Sequence, residues 1–169
     1  QPFCVIGTAG TVQTGASDDF NALADLATRE KLWFHVDGAY GGWGLLDPRV
    51  SDRYGDPATF DSFAIDPHKW LAAPVGTGAA IVRDEGILGR AFTIETGDYD
   101  RERHVTIGED DLGSPFDELG YGTPDWGVDF STPARGLPVW AILQEIGADG
   151  MRERVVRHRV DDAGFQRRA

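Results

Sequence analysis

Only two of the 16 basic residues in this chain of 169 are lysine, Lys31 and Lys69; all the others are arginine. Arginine evidently supplies the ordinary surface charge, so a lysine kept inside an apolar segment is wanted for its amine. Lys31 ends a polar stretch and is unremarkable. Lys69 lies between His68 and Trp70, just after the apolar run at 60–65. A neutral primary amine attacks carbonyl carbon, and an apolar setting favours the neutral form. A guanidinium stays protonated and cannot replace it. Asp37, at the end of Leu32-Trp33-Phe34-His35-Val36-Asp37, offers a carboxylate able to hold a cationic nitrogen. Tyr99, in an irregular stretch, offers a phenol able to deliver a proton.

These groups need a scaffold, and the patterning predicts an α/β domain. Residues 2–8 are apolar and β-prone and end in the small residues Gly7-Thr8-Ala9-Gly10-Thr11. Such a break suits a strand-end loop where backbone approaches something closely. Phe20, Leu23, Ala24 and Ala27 fall at helical spacing, so 18–31 reads as a helix capped by Ser17 or Asp18. Short strands are expected at 32–37, 60–65 and 76–83, the last two close enough in sequence to pair antiparallel. Residues 134–147 form a helix that stops at Gly147, with Pro138 tightening or bending it, and a second, Arg-rich helix occupies 148–169. The strand–helix–strand order argues a sheet with a parallel core. Ligands in such sheets bind at the carboxyl ends of strands, which is where Asp37 and Lys69 both fall. The acidic stretch 95–125 has Gly, Pro and no clean periodicity, the signature of a functional or mobile segment.

Composition narrows the partners. The net charge of -12 and the lack of a basic cluster exclude unaided nucleic-acid binding. No apolar run reaches bilayer length, so no membrane association is expected. The single cysteine, Cys4, excludes an internal disulfide and a cysteine-based zinc site, and points to a reducing compartment, here the cytoplasm. The run at 109–111 has no calcium-loop spacing, and no metal site is expected. The opening Gln1-Pro2-Phe3-Cys4-Val5-Ile6 has no basic leader and no initiator methionine. It reads as a cut through a strand, so the chain is expected to be an internal fragment.

A lysine and a carboxylate at neighbouring strand ends are what pyridoxal 5'-phosphate requires. The lysine forms a Schiff base, and the acid keeps the ring nitrogen protonated so that electrons released at a substrate's Cα can be drawn into the ring. Two segments carry a resemblance to a family. His35-Val36-Asp37-Gly38-Ala39-Tyr40-Gly41-Gly42, followed by Asp61-Ser62-Phe63-Ala64-Ile65-Asp66-Pro67-His68-Lys69-Trp70, resembles the group II pyridoxal-phosphate-dependent amino-acid decarboxylases, including the aromatic-amino-acid and tyrosine decarboxylases. The likeness runs from the Gly7–Thr11 turn to Arg157-His158.

The resemblance implies the aspartate-aminotransferase-like large domain of fold type I, with residues 1–130 as part of that domain and 131–169 as a helical connection into a truncated small C-terminal domain. It implies decarboxylation of an L-amino acid to an amine and carbon dioxide, in a homodimer with active sites at the two-fold interface. Lys69 would hold the cofactor, Asp37 would pair with the ring nitrogen, and Ala39 would pack on the ring face. Asp66 and His68 would lie beside the phosphate and the attachment point. Thr11 would sit near the cofactor's edge, and Asp18 would brace the site. Tyr99 would protonate Cα from a mobile loop, a match needing a one-residue shift.

Two departures leave alternatives open. Many members read Ser-Arg-Arg where this chain reads Ser131-Thr132-Pro133-Ala134-Arg135, so the substrate subgroup is open. The family's N-terminal third, with its phosphate-binding loop and ring-stacking histidine, has no counterpart here. Transamination, aldehyde formation, or a fragment unable to retain the cofactor therefore stand beside decarboxylation. Blander readings also apply: Asp37 as a strand-end turn residue, His68 as a packed histidine, His35 as structural support, and His104 and His158 as solvated.

Overall fold

A computed structural model describes residues 2–84, 86–92, 127–128 and 132–166, with side chains in the last stretch as far as Arg157. The chain divides into two compact units, Gln1–Arg83 with Ala134–Ala169, and Asp84–Pro133. Tyr99, His104 and the acidic stretch 95–125 lie outside the described residues.

The first unit is built on a four-stranded sheet in the order β1 (Cys4–Thr8), β2 (Trp33–Asp37), β3 (Ser62–Ile65), β4 (Ala79–Val82). β1, β2 and β3 run parallel, and β4 pairs antiparallel with β3, the arrangement expected for two strands so close in sequence. The crossover from β1 to β2 is helix α1 (Phe20–Glu30). Its apolar stripe meets the core face of β2, where Phe34 and Val36 are fully buried. Phe20, Phe60 and Phe63 close this core, with Phe60 meeting Phe34 edge-on at 5.4 Å between ring centroids. Such aromatic pairs add roughly 0.5–1.5 kcal/mol beyond the area they bury.

The expected cap of α1 is corrected. Asp19, not Ser17 or Asp18, is the N-cap: its carboxylate accepts from the Ala22 N–H at 3.0 Å. Asp18 instead reaches back to the end of β1, where its Oδ2 accepts the Thr8 N–H at 2.7 Å. Two adjacent aspartates thus split two tasks, and the sequence alone does not say which takes which.

Helix α3 (Gly136–Gln166) is continuous except at Gly147, where φ 66° and ψ 177° break it at the expected place. Pro138 falls in its first turn, where the missing N–H would have had no partner, so it bends nothing. Met151 and Val155 of α3 bury themselves against Leu71, forming a second apolar cluster with Trp43, Leu46 and Trp70 around it. Two arginines fix this contact. Arg49 donates to the Val156 carbonyl at 3.1 Å, and Arg154 to the Leu71 carbonyl at 2.7 Å. Arg49 also grips the fully buried Asp47 carboxylate through Nε and Nη2, and that hydrogen bond raises the pKa of its guanidinium.

In the second unit, the short helix α2 (Ile87–Phe92) carries Arg90, which pairs with Asp84. That hydrogen bond, helped by the Gly86 N–H, holds the Asp84 carboxyl below the usual carboxylate range.

The small-residue turn after β1 does what its composition suggested. Gly10 has φ +74°, and a Cβ there would stand 2.9 Å from Gly41 Cα. A Cβ on Gly41 would stand 2.2 Å from the Ala9 carbonyl oxygen. The loops leaving β1 and β2 therefore touch backbone to backbone, and the Gly41 carbonyl accepts from Tyr54 Oη at 2.6 Å. Gly41→Ala should force these loops apart and cost the full-length protein about 1–3 kcal/mol, the scale of core overpacking. Urea denaturation checks this; an unshifted midpoint would mean the loops can separate freely.

Candidate active site

Register brings the candidate residues together. Thr8 of β1 pairs with Asp37 of β2, and Asp37 pairs with Ala64 of β3. The ladder continues past the strand ends: Ala9 N–H donates to the Asp37 carbonyl at 2.8 Å, and Gly38 N–H to the Ala64 carbonyl at 2.9 Å. Asp66 N–H then donates to the Ala39 carbonyl at 3.2 Å. The loop with Thr11, the turn with Asp37 and Ala39, and the turn with Asp66, His68 and Lys69 thus leave one edge of the sheet side by side.

Asp37 is exposed at this edge. Its Oδ1 accepts the Ala39 N–H at 3.1 Å, and its second oxygen has no hydrogen-bond partner among the described residues. Lys69 directs its Nζ to Asp66 Oδ2 at 2.8 Å, with 28% of its side chain exposed. The amine is therefore oriented by a carboxylate in a half-buried setting. Asp66 is itself held, since its carbonyl accepts from Trp43 Nε1 at 3.3 Å. Trp70, next to Lys69, meets Tyr40 edge-on at 5.9 Å.

His68 is fixed at one nitrogen. Its Nδ1 lies 2.7 Å from the Thr77 carbonyl, which also accepts its backbone N–H at 3.3 Å. A carbonyl oxygen only accepts, so Nδ1 carries a proton and Nε2 is the nitrogen left for chemistry. Thr11 spends its hydroxyl in its own turn, 2.7 Å from Thr14 Oγ1 and accepting the Ala16 N–H at 3.2 Å. His35 takes a supporting position: its Nδ1 is 2.7 Å from Ser62 Oγ, which also accepts Trp33 Nε1 at 2.8 Å. Sequence reading passed over Ser62, Trp43 and Arg154. Ser62 was in principle visible, because the register places it opposite His35; the other two act across long separations.

These residues fit a cofactor with one electrophilic carbon and one basic ring nitrogen. Lys69 offers the amine and Asp37 an uncommitted carboxylate oxygen. Ala39, half-buried in the Asp37 turn and carrying only a methyl group, accepts the Asp66 N–H of the next turn. Among the described residues no cluster of three or more His, Cys, Asp or Glu is arranged to hold a metal ion. A hollow of about 360 Å³ lined by Phe60, Asp61, Ile81 and Arg83 lies toward the amino end of β3 and includes none of the candidate site residues.

The His68 geometry is directly testable. With histidine labelled at both ring nitrogens, NMR should show Nδ1 of His68 as a protonated, pyrrole-type nitrogen. A pyridine-type Nδ1 would refute the Thr77 contact.

The sequence matches the pyridoxal-dependent decarboxylase conserved domain over residues 1–167. It is 32% identical over 155 residues to an aromatic-L-amino-acid decarboxylase of Bacillus atrophaeus, covering 92% of this chain and 30% of that protein. It is also 32% identical over 157 residues to an acidic amino acid decarboxylase of Xenopus tropicalis, covering 92% of this chain and 29% of that one. Among solved structures, mouse CSAD in apo form aligns with a TM-score of 0.75 at 30% identity, covering 93% of this chain and 30% of that one. The chain therefore spans about 30% of the length of the relatives it matches. The domain match covers nearly every residue, and the α/β fold agrees with it: the chain belongs to the pyridoxal-dependent decarboxylase family, whose cofactor is pyridoxal phosphate.

Proposed function

We propose that the complete protein decarboxylates an L-amino acid, releasing carbon dioxide and the amine. The observation that carries this reading is the convergence of Lys69 and Asp37 at one sheet edge, with Asp66 Oδ2 2.8 Å from Lys69 Nζ. When bound, pyridoxal phosphate supplies an electron sink for the pair left at Cα as carbon dioxide departs. Lys69 would bind it through Nζ, with Asp66 Oδ2 orienting that amine. Asp37 would hold a proton at the ring nitrogen with its uncommitted oxygen, and Ala39 and Thr11 would help to hold the group. His68, pinned through Nδ1, moves a proton at Nε2. The role of Tyr99 as proton donor to Cα rests on the sequence resemblance alone. So do the homodimer that we assign to the complete protein and its division into a large domain through residue 130 and a connection beyond it, whereas the cytoplasmic location that we assign rests on the single cysteine, Cys4.

Two substitutions in the complete enzyme test the assignments. Lys69→Ala should abolish turnover and remove the visible absorption band of the bound cofactor; normal turnover would end the assignment of Lys69. Product analysis belongs with this experiment, since a keto acid or an aldehyde in place of amine and carbon dioxide would change the reaction class.

Asp37→Asn keeps shape and removes the charge opposite the ring nitrogen. The loss of one well-placed charge in the transition state should lower kcat on the order of 10²-fold or more. A variant within a few-fold of the parent would leave Asp37 only the turn contact with Ala39.

A further inference from the structure

The turn that carries Lys69 is held from outside. It closes through two backbone bonds, Lys69 N–H to the Asp66 carbonyl and Ala73 N–H to the Pro67 carbonyl, both 3.1 Å. Within it Ala72 has φ +58°, the left-handed region that a residue with a Cβ avoids. An alanine there persists only where its neighbours over-determine the backbone. The residue before it, Leu71, is fully buried against Met151 and Val155 of α3, and its carbonyl accepts from Arg154 Nη1 at 2.7 Å. Side chain and carbonyl of one residue are therefore both fixed by helix residues 80 or more positions away in sequence.

We propose that Arg154 is a positioning residue for Lys69. By gripping the Leu71 carbonyl it holds Ala72 in its left-handed conformation, and so keeps the turn from Pro67 to Ala73 closed with Lys69 Nζ presented to the site. The charge on the donor strengthens this bond and its planar fork fixes its direction, which suits holding a strained peptide better than bulk alone. The proposal rests on the reading of Lys69 as the cofactor-holding amine, but the turn itself can be examined without cofactor.

The test uses the complete protein with Arg154→Met, which keeps an apolar stem and removes the donor. In the cofactor-free form the Ala73 amide should exchange with solvent about ten- to hundredfold faster, the range set by losing a hydrogen bond from a charged donor. On adding pyridoxal phosphate, the visible band should form more slowly, while the KM for substrate stays near the parent value. Adding Ala72→Gly should recover much of both losses, because glycine adopts the left-handed region freely. A role for Arg154 in docking α3 alone would not be rescued in this way. Unchanged Ala73 exchange with unchanged band formation in Arg154→Met overturns the proposal, as does a double variant no better than the single one. Should Arg154→Met fail to fold, Arg154→Gln, which stays polar but loses the charge and the reach, is read by the same two measures: losses in both support the clamp and parent-like values overturn it. A parent protein that forms no visible band would defeat the Lys69 reading and leave Ala73 exchange to decide the clamp.

Discussion

The site depends above all on the parallel register of three strands. Thr8, Asp37 and Ala64 lie in one row, and the hydrogen-bond ladder runs on past them through Ala9, Gly38 and Asp66. Because the strands run the same way, their carboxyl ends finish together, and the segments that leave them are neighbours without further design. A slip of one residue in β2 would turn Asp37 toward α1 and bring Phe34 and Val36 out of the core. Burial of those two side chains thus fixes which way the carboxylate points.

The same convergence creates a crowding problem, which glycine solves. Two strand-end loops that touch through their backbones leave no room for a Cβ at Gly41, and at Gly10 the backbone also needs positive φ. Gly38 and Gly42 admit the Phe63 ring, to which a Cβ on either would stand within 2.6 Å. The glycines near Asp37 therefore serve packing beneath the site and not flexibility. Asp18 contributes from the other side by accepting the Thr8 N–H at the end of β1.

What the sequence made legible were local features. Apolar runs located the four strands to within a few residues, Gly147 marked the helix break, and Lys69 stood out as a lysine in an arginine-rich chain. Strand-end position placed Asp37 and Lys69 at one edge without knowledge of the pairing. What escaped were choices decided by contacts between distant residues. Asp18 and Asp19 are equally good caps on paper, and only the proximity of Thr8 separates them. The carboxylate beside Lys69 escaped for a related reason. Apolar neighbours in sequence, Trp70 and Leu71, turn their side chains toward Tyr40 and α3, and leave the amine to Asp66. Ala72 shows no sequence signal at all, because positive φ is signalled by glycine or asparagine and not by alanine.

The docking of α3 shows how two kinds of force divide one task. Full burial of a leucine contributes about 1.5–3 kcal/mol, and Leu71 shares its cluster with Met151 and Val155, so apolar contact supplies most of the attraction. That attraction is non-directional and would tolerate a helix rotated or shifted along its axis. The two arginine–carbonyl bonds are directional: each requires one peptide oxygen to face one guanidinium. Arg49, half-exposed and already engaged with Asp47, reaches out to the helix, whereas Arg154 reaches from the helix to the turn. Opposed donors of this kind fix rotation and register together, which apolar burial cannot do. The turn bearing Lys69 therefore takes its position from the sheet at one end, through Asp66 and Ala39, and from α3 at the other, through Leu71.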